Sequence, residues 1–336
     1  MGNISSVFRI AVDALHMLSG GRIRSWDPAA EMPSLTDKVV LITGGSIGIG
    51  KQAALELARH GAPPSQIWIA SRGGRGGTAA AAEIRRAASS STVEVRFLEL
   101  DLTSLASVRE AARAFSSAAP RLDLLILNAG LMGGSPAVTA EGYELRFGLN
   151  YVGHALLARL LTPLMFETAA ANPPAVGMAG VGPRIVAVSS AAHSYTVPGG
   201  IRFDTLKGTA EDVDVLLRYG QSKLAMLLWA REMAEREPRI TTVAIHPGTV
   251  KTELFSQPEG GFLYRLVCMI FVPVVGLTVE DGAKNTLWAA TSGEVVSGEY
   301  YEPVGVAGRA CGWANDRGLS KKLWEWTEEE LKGQEI

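Results

Sequence analysis

The sequence is poor in the features that mark secreted, metal-bound or nucleic-acid-binding proteins. It contains two cysteines in 336 residues, Cys268 and Cys311. Two are too few for a disulfide framework, and they lack metal-ligand spacing, so a reducing, cytoplasmic setting is expected. Neither sign of charge is in excess: 32 Lys and Arg against 34 Asp and Glu give a formal net charge of -2. A nucleic-acid partner calls for a basic face, and none is expected here. Long apolar runs are missing too. A membrane helix needs about 18 consecutive apolar residues, whereas the nearest run, Leu266 to Leu277, contains Pro273. The N-terminus lacks the long apolar core of a signal peptide.

What is there is globular in composition, 47% hydrophobic and 20% charged. From Lys38 onward, short apolar runs rich in Val and Ile alternate with helical stretches. The runs Val39–Ile42, Ile67–Ala70, Val93–Leu98, Leu124–Leu127, Ile185–Val188, Thr242–Ile245 and Glu299–Tyr301 read as strands. Gly50–His60, Thr78–Ala88, Leu105–Phe115, Val152–Thr168, Val213–Glu235 and Val279–Thr291 read as helices. Strands apolar on both faces and separated by helices indicate a parallel sheet covered on both sides. The expectation is an α/β fold: one Rossmann-type doubly wound domain of about seven parallel strands over residues 38–303. An N-terminal extension (1–37) and a C-terminal tail with a helix (304–336) flank it. Ala169 to Pro183, rich in Ala, Gly and Pro, reads as an exposed loop. The extension carries a short amphipathic pattern through Val7, Phe8, Ile10, Ala11, Ala14, Leu15 and Leu18. Met1-Gly2 with Ser6 matches a myristoylation pattern, which would give weak peripheral membrane association at most.

Two local patterns carry chemistry. After the first strand, Thr43-Gly-Gly-Ser-Ile-Gly-Ile-Gly50 runs directly into a helix. Glycines let backbone approach a ligand closely, and the helix N-terminus beyond offers free N–H groups suited to a pyrophosphate. The second strand ends Ala70-Ser71-Arg72, with no acid to hold a ribose 2′-hydroxyl. Ser71 and Arg72 instead suit a 2′-phosphate, so NADP(H) is expected over NAD(H). The second pattern is Tyr219-x-x-x-Lys223. At this spacing both side chains share one helix face. An ammonium beside a phenol lowers its pKa toward the range in which it can trade protons.

With these and five further landmarks, the chain resembles the short-chain dehydrogenases/reductases from about Lys38 to Pro303. The branch it looks most like is the retinol-dehydrogenase-like one with its fungal secondary-metabolite relatives. The five are Asp101-Leu102, Asn128-Ala129-Gly130, Asn150 in Leu-Asn-Tyr-Val-Gly-His, Ser189-Ser190 after the fifth strand, and His246-Pro-Gly-Thr-Val-Lys-Thr252. The branch rests on Ala192-His193, the 29-residue gap from Ser190 to Tyr219, Ala70-Ser-Arg, and the closing helix around Leu323 to Leu331. The resemblance implies a catalytic set of Asn150, Ser190, Tyr219 and Lys223. It implies cofactor contacts from Thr43, Gly44, Ser46, Ile47, Gly48, Ile49, Gly50, Ser71, Arg72, Asp101, Leu102, Asn128, Ala129, Gly130, Tyr219, Lys223, Pro247, Gly248, Val250 and Thr252. Ser190 rather than Ser189 is expected to act, on the family pattern. Residues 256–277, with Phe262, Leu263, Tyr264, Leu266, Val267, Met269, Ile270, Phe271 and Val272, would form a lid over a bulky apolar substrate, or else pack on the core or a partner. The expected activity is NADPH-dependent reduction of a ketone or aldehyde, for instance a polyketide-type metabolite. The alternatives are a retinol- or steroid-type alcohol dehydrogenase at a membrane surface, and a non-catalytic NADP-binding scaffold. A homo-oligomer is compatible with either enzyme.

Overall fold

The computed structural model describes residues 24–171, 182–251 and 276–335. The N-terminal amphipathic segment, Gly2, Thr252, nearly all of the expected lid and most of the Ala169–Pro183 run lie outside the described residues.

Seven strands, β1 (Val39–Thr43), β2 (Gln66–Ser71), β3 (Glu94–Glu99), β4 (Leu124–Leu127), β5 (Arg184–Val188), β6 (Thr241–Ile245) and β7 (Tyr300–Glu302), are parallel. An eighth, β8 (Val306–Ala307), pairs antiparallel with β7, giving the order β3-β2-β1-β4-β5-β6-β7-β8. The sheet therefore runs past residue 303. Gly305, at φ 69°, supplies the left-handed backbone for the reversal that brings β8 back along β7. All five residues of β1 and of β5 are buried, as strands covered on both faces must be.

Helices α1 (Gly48–Arg59), α2 (Gly74–Ala87) and α6 (Val279–Thr291) cover one face, packing on Val40, Ile42, Ile67, Ile69 and Val243. Helices α3 (Leu105–Ala118), α4 (Gly153–Ala171) and α5 (Val215–Arg236) cover the other, on Leu41, Trp68, Leu98, Leu125 and Ile185. Burying each such aliphatic side chain is worth about 1.5–3 kcal/mol. The connection from β3 crosses to β4, which lies against β1 on the side away from β2, so the sheet reverses its winding between β1 and β4. A crevice opens at the strand C-termini at such a point.

Two elements depart from the expected spans. α2 begins at Gly74 rather than Thr78 and so takes in Gly77, which is a packing residue: a Cβ there would stand 1.9 Å from the Phe97 ring. The helix expected from Val152 is preceded by a wide π-turn over Gly148–Val152. α7 (Arg317–Glu330) closes the α5 face and docks on this turn. Its Thr327 meets the Tyr151 hydroxyl at 2.5 Å, and its Glu330 accepts from the Tyr143 hydroxyl at 2.7 Å. Trp326 stands edge-on to Tyr143, Phe147 and Phe203.

Candidate active site

A cleft of about 560 Å³ lies along the C-terminal edge of the sheet. β1 and the turn into α1 contribute Thr43, Gly44, Ser46, Ile47, Gly48 and Ile49; the end of β2 contributes Ala70 and Ser71, and Arg72 follows them. Leu102, Asn128, Ala129, Gly130, Tyr219, Lys223 and Pro247 also line it. So do Leu100, Leu149, Val188, Ser189, Lys251 and Val279, which sequence reasoning did not single out as cofactor contacts. Gly50, Asp101, Asn150, Ser190, Gly248 and Val250, also expected at the site, are not among the lining residues.

The glycine turn is built for close approach. Gly44 and Gly48 have φ of 65° and 54°. A Cβ on Gly44 would come within 2.9 Å of Ala129 Cα, and one on Gly50 within 2.4 Å of Asn128 Nδ2. The Asn128 amide donates to the Thr43 backbone oxygen at 2.9 Å, tying the end of β4 to the turn. Asp101 accepts from the backbone N–H and hydroxyl of Thr103 at 2.9 and 2.7 Å, which fixes the bend after β3.

At the adenosine end expected from the sequence, the Ser71 hydroxyl is buried with no partner among the described residues. Arg72 beside it is exposed and makes no hydrogen bond or ion pair among them. A buried hydroxyl left unsatisfied costs about 1–3 kcal/mol. A ligand phosphate would satisfy both groups. Together with the glycine cradle, this donor set fits a dinucleotide.

At the other end, Tyr219 and Lys223 lie on α5, both nearly inaccessible. Lys223 Nζ sits 5.7 Å from the Tyr219 ring centre and donates to the Val188 carbonyl at 2.8 Å. The two serines after β5 divide as strand alternation requires. Ser189 turns its hydroxyl away, donating to the Lys223 backbone oxygen at 2.7 Å. The Ser190 side chain acts on the Tyr219 phenol, drawing its pKa down, and caps the turn Ala191–Ser194 by accepting from Ala192 N at 3.1 Å. Although Ser189 borders the cleft, the hydroxyl facing the phenol is that of Ser190. Gly220 makes this approach possible: it lies directly against the Tyr195 carbonyl.

Asn150 occupies the middle of the π-turn. Its Oδ1 accepts from Leu131 N at 2.8 Å, while its Nδ2 donates to Leu131 O at 3.0 Å and to Ser222 Oγ at 2.8 Å. The side chain thus clamps the segment after Gly130 to α5. The sequence signal for this clamp is Ser222, which lies between Tyr219 and Lys223.

One expectation is reversed. Lys223 was expected to lower the Tyr219 pKa, but burial pushes the phenol up to about 12, with only Ser190 pulling the other way. Burial also depresses Lys223, to about 8. The ammonium is turned to the Val188 carbonyl, and burial is the larger influence on the phenol.

A doubly wound sheet with a glycine cradle and a Tyr–Lys–Ser cluster at one edge defines a dinucleotide-dependent oxidoreductase. The short chain dehydrogenase family model matches residues 38–259. The chain belongs to that family of nicotinamide-dependent oxidoreductases. It is similar to the short-chain dehydrogenase/reductase drtF of Aspergillus calidoustus, 34% identical over 91% of this chain and 97% of that protein. It is also similar to mouse (Mus musculus) retinol dehydrogenase 12, 37% identical over 86% of this chain and 83% of that protein. Among solved structures, NADPH-bound carbonyl reductase from chicken fatty liver aligns with a TM-score of 0.60 and 25% identity. That alignment covers 84% of this chain and 97% of the other. Among the described residues no helix is long and apolar enough to cross a membrane.

Proposed function

We propose that the protein reduces a ketone or aldehyde on a bulky hydrophobic substrate with NADPH. The observation that carries this reading is the Tyr219 phenol, set beside Ser190 and Lys223 at one end of a cleft whose other end presents Ser71 and Arg72, whose side chains have no partner among the described residues. The glycine turn would hold the pyrophosphate, and Ser71 with Arg72 the 2′-phosphate. When bound there, the nicotinamide would supply the hydride for the substrate carbon.

Tyr219 acts as the acid. Raised to about 12, it stays protonated through neutrality and gives its proton to the substrate oxygen as negative charge develops there. Ser190 donates to the same oxygen and fixes its position. Lys223 supplies the positive charge beneath the phenol, and Asn150 keeps the Leu131 segment and Ser222 in register with it. Support for NADPH and for a carbonyl substrate comes from the donor set and from the likeness to the chicken carbonyl reductase. The 37% identity to retinol dehydrogenase 12 favours a second reading in the oxidative direction, on a retinol-type alcohol.

A screen of NADPH oxidation over quinones, polyketide-type ketones and retinal tests the reading. Tyr219→Phe should abolish turnover while leaving NADPH binding nearly intact. Retention of more than about a tenth of the rate, some 1.4 kcal/mol of barrier, would remove Tyr219 from the acid role. Arg72→Asp should weaken NADPH far more than NADH, and equal losses would sink the cofactor assignment.

A further inference from the structure

His154 is a fully buried titratable side chain that the proposed reaction does not use. It stands in the first turn of α4, four residues after Asn150. Its ring spans two elements. Nδ1 lies 2.9 Å from the Asn150 backbone oxygen, and Nε2 lies 2.8 Å from Thr43 Oγ1. A carbonyl can only accept, so Nδ1 carries the proton and Nε2 is left as an acceptor. Thr43 is suited to donate to it, because the Thr43 oxygen already accepts from the backbone N–H of Asn128 at 2.9 Å and of Ala129 at 3.0 Å. The competing acceptor, the Ile126 carbonyl, is farther, at 3.4 Å. One proton arrangement satisfies every group, and it requires a neutral imidazole. Burial enforces that state, holding His154 at about 4, with the Lys223 charge acting in the same direction.

The segments joined are the ones that shape the cleft. Thr43 ends β1 and opens the glycine turn, Asn128 and Ala129 follow β4, and the Asn150 turn pins Leu131 to α5. A π-turn interrupts the regular helical ladder, and here the Asn150 carbonyl accepts from the His154 ring. We infer that His154 is a positioning residue that couples the dinucleotide cradle to the Asn150 turn, donating to one and accepting from the other. The inference rests on the reading of the cleft as a dinucleotide site.

Two substitutions separate the two ends of the ring. His154→Gln places an amide oxygen near the Nε2 position and loses the donor to Asn150. His154→Asn places an amide N–H near the Nδ1 position and loses the acceptor for Thr43. NADPH affinity is read by fluorescence titration, and kcat with the best substrate of the carbonyl screen. In H154Q the larger loss, about three- to ten-fold for one hydrogen bond, falls on kcat. In H154N a loss of the same size falls on NADPH affinity. Thr43→Val should reproduce the affinity loss, add little to H154N, and be rescued by Thr43→Ser. H154Q and H154N moving kcat and affinity in the same ratio, in step with their Tm, would overturn the inference. If the His154 variants do not fold, the Thr43 pair decides alone: unchanged NADPH affinity in T43V would overturn it. Wild-type protein binding neither NADPH nor NADH would instead refute the reading of the cleft, and the coupling with it.

Discussion

Gly220→Ala isolates the geometry of the proposed acid. By helix propensity alone, alanine in the middle of α5 would stabilise the protein by about 1 kcal/mol. The packing reverses that sign. The added Cβ would stand 1.5 Å from the Tyr195 carbonyl oxygen and 2.8 Å from that of Ala192, where contacts under 3.0 Å essentially never occur. The turn Ala191–Ser194 must therefore retreat from α5 by about 1.5 Å. That turn is capped by Ser190, so the retreat draws the serine away from Tyr219. A misplacement of about 1 Å in a reacting group costs on the order of 100-fold, or about 2.7 kcal/mol of barrier. The glycine cradle belongs to other elements, so NADPH affinity should change less than about three-fold. Steady-state NADPH oxidation beside a fluorescence titration of cofactor on the same preparation reads both numbers. Wild-type kcat in Gly220→Ala, or a matching loss of cofactor affinity, would refute the claim that α5 and the serine turn are held together at this glycine.

Further outcomes follow from burial. Lys223, depressed to about 8, should lose its proton within the working range, so reduction should fall as pH rises through about 8. Its folded pKa lies below the ordinary lysine value, so the unfolded chain binds more protons between about 8 and 10.5, and the Lys223 contribution to stability rises over that range. Activity and stability should diverge there. Lys223→Arg should move the alkaline limb upward, and a flat pH–rate profile from 7 to 10 would refute the assignment. Thr327→Val leaves the buried Tyr151 hydroxyl without its partner and should cost about 1–3 kcal/mol in urea unfolding. Adding Tyr151→Phe should recover most of that loss, and failure to recover would show that the pair is not what Thr327 supports.

The sheet was legible in the sequence because buried parallel strands are apolar on both faces, and the glycine turn because its spacing opens a helix. Other features were hidden for physical reasons. Hydrophobic period does not distinguish an α-turn from the wider turn at Gly148–Val152, so α4 was placed without its π-turn. Gly77 reads as a turn residue in sequence, yet its role is to admit the Phe97 ring. Strand alternation separates Ser189 from Ser190, but only the observed partners show which hydroxyl meets the phenol. His154 looks like one more residue on a buried helix until the fold brings Thr43 to its ring. The balance of charge and desolvation at Tyr219 depends on where the Lys223 ammonium points, which spacing cannot supply.

The docking of α7 has a consequence for synthesis. Tyr219, Lys223, Ser190 and Asn150 are all translated well before residues 317–330, yet Tyr151 finds its hydroxyl partner, and Phe147 its indole neighbour, in that last helix. A ribosome-bound chain can thus carry every residue of the proposed site while the turn around Asn150 still lacks its outer wall. A premature stop codon in this stretch would yield a protein with an intact family signature and an unsupported π-turn, and its fate would be decided by quality control rather than by chemistry.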